Sequence, residues 1–154
     1  TVVALDPENG RERWRTTIGP SYAGHDGSHD GPIATPSLDG QQIFAMGPHG
    51  VLLALDAETG REQWRHDLVR EFQAPPPLYG FGTSPLVVGN VVVTQIGGEQ
   101  GGLLAFNRTT GALAWRGAHS KSRGYASPVL ATIAGVRQIV ASAGDRAFGV
   151  NPET

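Results

Sequence analysis

Four side chains that could hold a metal ion fall within one glycine-rich stretch, HDGSHDG. They are His25, Asp26, His29 and Asp30. Neutral imidazoles and ionised carboxylates are both available near pH 7, and both bind divalent cations such as zinc or calcium. The stretch therefore predicts a metal site. The same residues are also typical of a solvated loop in which aspartates make local turns, and both interpretations stay open at this stage.

A second group of candidate binding residues lies near the other end of the chain. Lys121, Arg123 and Tyr125 place two cations beside an aromatic ring, which suits an anion or the carboxylate of a peptide. The alternative is a hydrophilic connector with Tyr125 packed under the following strand. No nucleophile elbow, zincin motif or phosphate-binding loop occurs, so no catalytic residue is predicted.

Composition limits the classes of function. The chain has 154 residues, a formal net charge of −2 and no cysteine. The charge gives no reason to expect a nucleic-acid partner, and disulfides and thiolate metal sites are excluded. No apolar run approaches the roughly 18 residues that a membrane-spanning helix needs. The chain contains 22 glycines and 11 prolines, and these high counts favour many turns and short strands.

A repeat in the sequence indicates which structural elements position these residues. The stretches ALDPENGRERW, ALDAETGREQW and AFNRTTGALAW each end on a tryptophan, at Trp14, Trp64 and Trp115. A second marker, ATPSL, TSPLV and ASPVL, recurs between the tryptophans. Two markers that share a period of roughly 43 to 51 residues indicate propeller blades or solenoid units.

Each unit is predicted to contain four short strands and no helix. Its apolar segments, such as QQIFAMG and VVVTQIG, are short, rich in β-branched residues and separated by glycine-containing turns. This pattern predicts an all-β β-propeller of four-stranded antiparallel blades, present as an incomplete arc. The predicted divisions are the last two strands of one blade (1–19), two full blades (34–68 and 83–118) and three strands of a fourth (126–154).

The repeated letters predict a packing contact between blades. An Asp or Asn opens each turn, a glycine closes it, and the tryptophan on the last strand faces an alanine on the strand before it. A small alanine leaves room for a flat indole that packs against the next blade. The predicted contact residues are Ala4, Gly10, Trp14, Ala54, Gly60, Trp64, Ala105, Gly111 and Trp115.

This Ala-x-Asp/Asn-x-x-Thr-Gly-x-x-x-Trp pattern resembles the tryptophan-docking motif of the quinoprotein-type β-propellers with PQQ-like repeats. The resemblance covers the whole chain, with Asn9 in place of the usual threonine in the first copy. Kelch repeats have a similar period, but they carry a Gly-Gly doublet in each unit, and doublets occur here only at 97–98 and 101–102.

The resemblance implies one of two functions. Non-enzymatic relatives, such as the lipoprotein propeller of outer-membrane barrel assembly, imply a bacterial, periplasmic or otherwise extracytoplasmic scaffold that binds proteins or peptides through its inter-blade loops. Any signal peptide would then lie outside this fragment. Enzymatic relatives imply a fragment of an alcohol or sugar dehydrogenase that uses pyrroloquinoline quinone (PQQ) with calcium. All three tryptophans occupy the repeat positions and no cysteine pair is present, so we expect a scaffold with no cofactor in this fragment.

Overall fold

The computed structural model describes residues 1–24, 31, 33–122, 124–144 and 146–153. Within them the chain forms thirteen strands and one short helix. The elements are β1 (Val2–Leu5), β2 (Glu12–Thr16), β3 (Ser37–Asp39), β4 (Gln42–Met46), β5 (Val51–Asp56), β6 (Glu62–Asp67), α1 (Leu68–Phe72), β7 (Leu86–Val88), β8 (Val91–Ile96), β9 (Gly102–Asn107), β10 (Leu113–Gly117), β11 (Val129–Ile133), β12 (Val136–Ala143) and β13 (Arg146–Val150).

The strands form four separate antiparallel sheets, each built from strands that are consecutive in the sequence. We call them blade 1 (β1–β2), blade 2 (β3–β6), blade 3 (β7–β10) and blade 4 (β11–β13). Every pairing joins neighbours in the chain, so short turns suffice to connect the strands within a blade. The predicted fold class, an incomplete arc of a β-propeller, is confirmed.

Three apolar clusters lie between consecutive blades. On β5, Leu53 and Leu55 pack towards blade 1, whereas Leu52 and Ala54 pack towards blade 3. Side chains alternate between the two faces of a strand, so a strand that is covered on both faces must be apolar at successive positions. This explains the run VLLAL, in which Leu52, Leu53, Ala54 and Leu55 are fully buried.

The turns that follow β1, β5, β9 and β13 have the predicted form. The side-chain oxygens of Asp6, Asp56, Asn107 and Asn151 each accept a hydrogen bond from the backbone N–H two residues later. The glycines that close the first three turns have φ angles of 71°, 70° and 76°. A residue with a side chain would be strained in this left-handed region.

The prediction that the repeat unit contains no helix is wrong at one place. The five residues that follow β6 form α1. Asp67 caps the helix by accepting the N–H of Arg70, and Leu68 and Phe72 bury their side chains. Among the described residues no helix is long and apolar enough to cross a membrane.

Candidate functional site

The boundary between blades 1 and 2 is built around Trp14. Its Nε1 donates a hydrogen bond to the carbonyl oxygen of Ala57 at 3.1 Å, and a Cβ at Gly60 would clash with the indole ring. Two residues further along β2, Thr16 Oγ1 donates to the carbonyl oxygen of Gly60 at 2.5 Å. Trp14 is half-buried. Only a glycine at position 60 permits this approach of the indole to the backbone.

The boundary between blades 2 and 3 repeats this arrangement. Trp64 Nε1 donates to the carbonyl oxygen of Arg108 at 2.9 Å, and a Cβ at Gly111 would lie 2.8 Å from Trp64 Cγ. Trp64 is buried, with 9% of its surface exposed, and its ring contacts those of Phe44 and Phe106. The indole is therefore part of the apolar cluster between blades 2 and 3.

A histidine replaces the threonine at the second boundary. His66 Nε2 lies 2.7 Å from the carbonyl oxygen of Gly111, and Nδ1 lies 2.6 Å from Oε2 of Glu71 on α1. The imidazole stacks on Phe106 with ring centroids 4.3 Å apart. The guanidinium of Arg116 lies 4.9 Å from the centroid of the neighbouring Phe72 ring. Helix α1 therefore ties the outer edge of blade 2 to blade 3.

At the third boundary Gly117 occupies the position of Thr16 and His66, so no side chain at this position reaches towards the next blade. Trp115 pairs with Ala105 on the adjacent strand, as in the other two repeats. The repeats therefore share their strand register but differ in the residue two positions after the tryptophan.

Hydroxyl groups link the blades near their first strands. The N–H of Thr35 donates to Ser84 Oγ at 2.9 Å, and the N–H of Ser84 donates to Ser127 Oγ at 2.8 Å. Each of these residues precedes the proline at the start of its blade. The recurring Ser/Thr-Pro marker therefore supplies one hydrogen bond from each blade to the next, a role that local sequence does not reveal.

Arg108 forms a further connection at the second boundary. Its Nε donates to Gln42 Oε1 at 2.9 Å, its Nη2 donates to the carbonyl oxygen of Asp39 at 2.9 Å, and its Nη1 pairs with the Asp39 carboxylate. A polar groove between blades 2 and 3 includes this side chain in its wall. Because the guanidinium is already paired, the groove offers no free charge from Arg108.

The loops between blades present apolar side chains to solvent. Ile33, Leu78, Tyr79 and Tyr125 are each between 42% and 57% exposed. The Tyr79 and Tyr125 rings lie 5.9 Å apart, and Tyr125 OH accepts the backbone N–H of Tyr79 at 3.0 Å. Tyr22 OH donates to the carbonyl oxygen of Leu78. We call these four exposed residues the loop patch.

The predicted anion-binding group is only partly described. Lys121 Nζ pairs with the carboxylate of Glu99 at 2.7 Å, so its charge is balanced locally. Arg123 lies outside the described residues, and Tyr125 belongs to the loop patch. The anion-binding group therefore stays a prediction.

The predicted metal ligands His25, Asp26, His29 and Asp30 also lie outside the described residues. In the part of the chain that the structure describes, no cluster of three or more histidine, aspartate and glutamate side chains is placed to hold a metal ion. The metal site therefore stays a prediction.

Hydrogen bonds in the turns and on the outer strands lower several carboxyl pKa values. The pKa of Asp56 lies below its usual value because the Thr59 hydroxyl and then the Thr59 N–H donate to the carboxylate. Hydrogen bonds from Arg65 lower the pKa of Glu62 in the same way. These groups are ionised and structural at neutral pH. None of them has the raised pKa expected of a general acid.

Four sheets stacked through apolar clusters, with loops gathered between them, define a β-propeller. The chain belongs to the family described as outer membrane protein assembly factor BamB, whose sequence model matches residues 1–154. A search of curated protein sequences returned no significant match.

Solved structures share the fold. The quinohemoprotein alcohol dehydrogenases from Comamonas testosteroni and from Pseudomonas putida HK5 are 22% and 24% identical, each with a TM-score of 0.56 over 74% of this chain. BamB from Moraxella catarrhalis is 25% identical over 73% of this chain, with a TM-score of 0.49. The chain spans 17% of the length of each dehydrogenase and 29% of the BamB structure.

Proposed function

We propose that the chain is part of a binding or scaffolding propeller that acts outside the cytoplasm and contacts a protein partner through its inter-blade loops. The observation that carries this proposal is the loop patch. Its side chains are exposed, yet hydrogen bonds and ring contacts hold Tyr79 and Tyr125 in place. Aromatic side chains with little freedom to lose are typical of binding surfaces. The family description, an assembly factor of outer membrane proteins, supports a protein as the partner.

The repeated tryptophans have a structural role in this proposal. Trp14 and Trp64 each direct their indole N–H to a carbonyl of the next blade and lie against a glycine. They serve as contacts that hold blades together, and the loops are left to carry specificity.

Site-specific photo-crosslinking in the intact protein tests the partner. A benzophenone side chain at Tyr79, which is 42% exposed, is compared with one at Leu113, which is 41% exposed on the outer strand of blade 3. We expect crosslinks from position 79 to a component of the outer-membrane protein assembly machinery and none from position 113. Equal crosslinking from both positions, or none from position 79, would contradict a partner at the loop patch.

The second candidate is a fragment of a PQQ-dependent alcohol or sugar dehydrogenase, because such enzymes share this fold. The residues described here do not fit a quinone site, since Trp14 and Trp64 are engaged at blade boundaries and the Asp56 carboxylate is held in a turn. Adding PQQ and calcium to the intact protein separates the candidates. A cofactor absorbance band with alcohol-dependent dye reduction would favour the enzyme, and its absence would favour the scaffold.

The loop from His25 to Asp30 is proposed as a metal site on its sequence alone. Calorimetric titration with zinc or calcium tests it in the intact protein. Binding should weaken below about pH 6, because imidazole protonation competes with the metal. His25→Ala and His29→Ala should each abolish the heat of binding, and no heat at millimolar metal would leave the loop as a solvated connector.

A further inference from the structure

We infer that His66 is a pH-sensitive contact between blades 2 and 3, which bonds both Glu71 of helix α1 and the carbonyl of Gly111 when the imidazole is protonated and keeps only one of these two bonds when the ring is neutral. The inference concerns this boundary alone and does not depend on the proposed partner.

The geometry around His66 requires two N–H groups. Nδ1 faces a carboxylate oxygen of Glu71 at 2.6 Å, and Nε2 faces the carbonyl oxygen of Gly111 at 2.7 Å. Both partners are acceptors only, because an ionised carboxylate and a backbone carbonyl have no proton to give. A neutral imidazole has one N–H and one lone pair. Loss of the proton therefore leaves one of these short contacts without a donor.

Little of the imidazole is open to solvent. Only 18% of the His66 side chain is exposed, and its face lies on the ring of Phe106. Both ring nitrogens are occupied by protein groups, Glu71 at Nδ1 and the carbonyl of Gly111 at Nε2.

The other charged groups near His66 pair with one another or contact a different aromatic ring. From β6, Asp67 pairs with Arg70 of α1, and its N–H donates to Glu71 Oε1. From blade 3, Arg116 lies on the ring of Phe72, and Arg108 pairs with the carboxylate of Asp39. The Glu71 carboxylate is therefore the charge in direct contact with the imidazole.

Loss of the hydrogen bond between His66 and Glu71 would affect α1 and the loop that follows it. Glu71 is one of the side chains that tie the helix to the boundary, because it bonds both His66 and the N–H of Asp67. The helix leads directly into the segment that carries Leu78 and Tyr79. A change in the contact of Glu71 is thereby transmitted to a loop on the surface.

The first boundary supplies a matched control. Thr16 stands where His66 stands and donates its hydroxyl to the carbonyl of Gly60, which corresponds to Gly111. The variant His66→Thr thus keeps a donor for Gly111 but has no group that titrates. Glu71→Gln keeps the shape of the side chain and removes its charge.

Two measurements in the intact protein decide the inference. Nitrogen-15 NMR of the imidazole at pH 5.5 and pH 8 reports the protonation of each ring nitrogen. Hydrogen exchange of the Trp64 indole N–H, which donates across the boundary to the carbonyl of Arg108, reports local opening once it is corrected for the intrinsic effect of pH. The indole N–H of Trp14 at the first boundary is the internal reference.

We expect both ring nitrogens to be protonated at pH 5.5 and one to lose its proton by pH 8. Exchange of the Trp64 indole N–H should become about tenfold faster over this range, as expected for loss of a hydrogen bond to a charged group. Exchange of the Trp14 indole N–H should not change. The pH response should disappear in His66→Thr and shrink in Glu71→Gln.

A neutral ring at pH 5.5 would overturn the inference, as would equal pH responses of the Trp64 and Trp14 indoles in the natural protein. Equal responses of the natural protein and His66→Thr would also overturn it. The first two outcomes need no variant, so the test remains decisive if His66→Thr does not fold.

Discussion

The two boundaries on either side of blade 2 use the same repeat yet differ in their contacts. At the first, Trp14 lies against Gly60 and a threonine completes the hydrogen bonds. At the second, Trp64 contacts two phenylalanines and a histidine pairs with a helix. The repeated letters thus set a common framework, and residues that do not repeat determine how strongly each pair of blades is joined.

The largest expected effect is the loss of an indole. Trp64→Ala should lower the free energy of unfolding by about 3–5 kcal/mol, because it leaves a cavity among buried rings. Trp14→Ala should also destabilise the protein, because its indole lies against Gly60 and donates to the carbonyl of Ala57. Urea denaturation of both variants measures the two effects. An unchanged midpoint for Trp64→Ala would refute its role between the blades.

Gly111→Ala should be the next most damaging change. The new Cβ would lie 2.8 Å from Trp64 Cγ, and the residue would keep a φ of 76°. The backbone conformation alone costs about 1–2 kcal/mol for a residue with a side chain. Displacement of the indole should add to this cost.

Gly40→Ala is the control that separates these two causes. Gly40 lies in blade 2 and has a φ of 60°, but a Cβ there would meet nothing within 4 Å. The loss of unfolding free energy in Gly111→Ala beyond that in Gly40→Ala measures the contact with Trp64. Equal losses in the two variants would show that only backbone strain matters.

Removal of one hydroxyl tests the links between the first strands. Ser127→Ala should leave the N–H of Ser84 without its acceptor, at a cost of about 0.5–1.5 kcal/mol. Ser84→Ala should have a similar effect on the N–H of Thr35. Thermal or urea denaturation gives both values. Stability equal to that of the natural protein in both variants would show that water replaces these hydroxyls without cost.

The smallest predicted effect is a difference in acid sensitivity between the turn that begins at Asp56 and the turn that begins at Asn107. The Thr59 hydroxyl lowers the pKa of Asp56 in the turn that meets Trp14. Because the pKa in the folded state lies below that in the unfolded chain, the stabilisation is present above about pH 4 and is lost as the pH falls through the folded value. The turn that meets Trp64 has Asn107 at this position, which does not titrate.

Asp56→Asn should therefore reduce the loss of stability in acid, and Asn107→Asp should increase it. Urea midpoints between pH 2 and pH 6 measure both changes. A steeper acid loss in Asp56→Asn than in the natural protein would contradict the assignment.

Much of the fold could be predicted because its signals are local. A turn such as that from Asp56 to Gly60 needs an acceptor at its start and a left-handed residue at its end, and both are visible in the letters. Strands buried on both faces are visible as runs such as VLLAL. The candidate binding residues were less predictable, because Arg123 and the loop from His25 to Asp30 belong to no repeat and have no fixed spacing to a partner.

The sequence by itself determined the blade pattern, the turns and the pairing of each tryptophan with an alanine on the adjacent strand, because all of these depend on residues close together in the chain. Only the tertiary structure decided that His66 meets Gly111 across 45 residues and that Ser84 meets Ser127 across 43. It also decided that the segment after β6 begins as a helix, where Leu68 and Phe72 find a core to enter. Contacts of this kind depend on the angle between neighbouring blades, which no short stretch of sequence encodes.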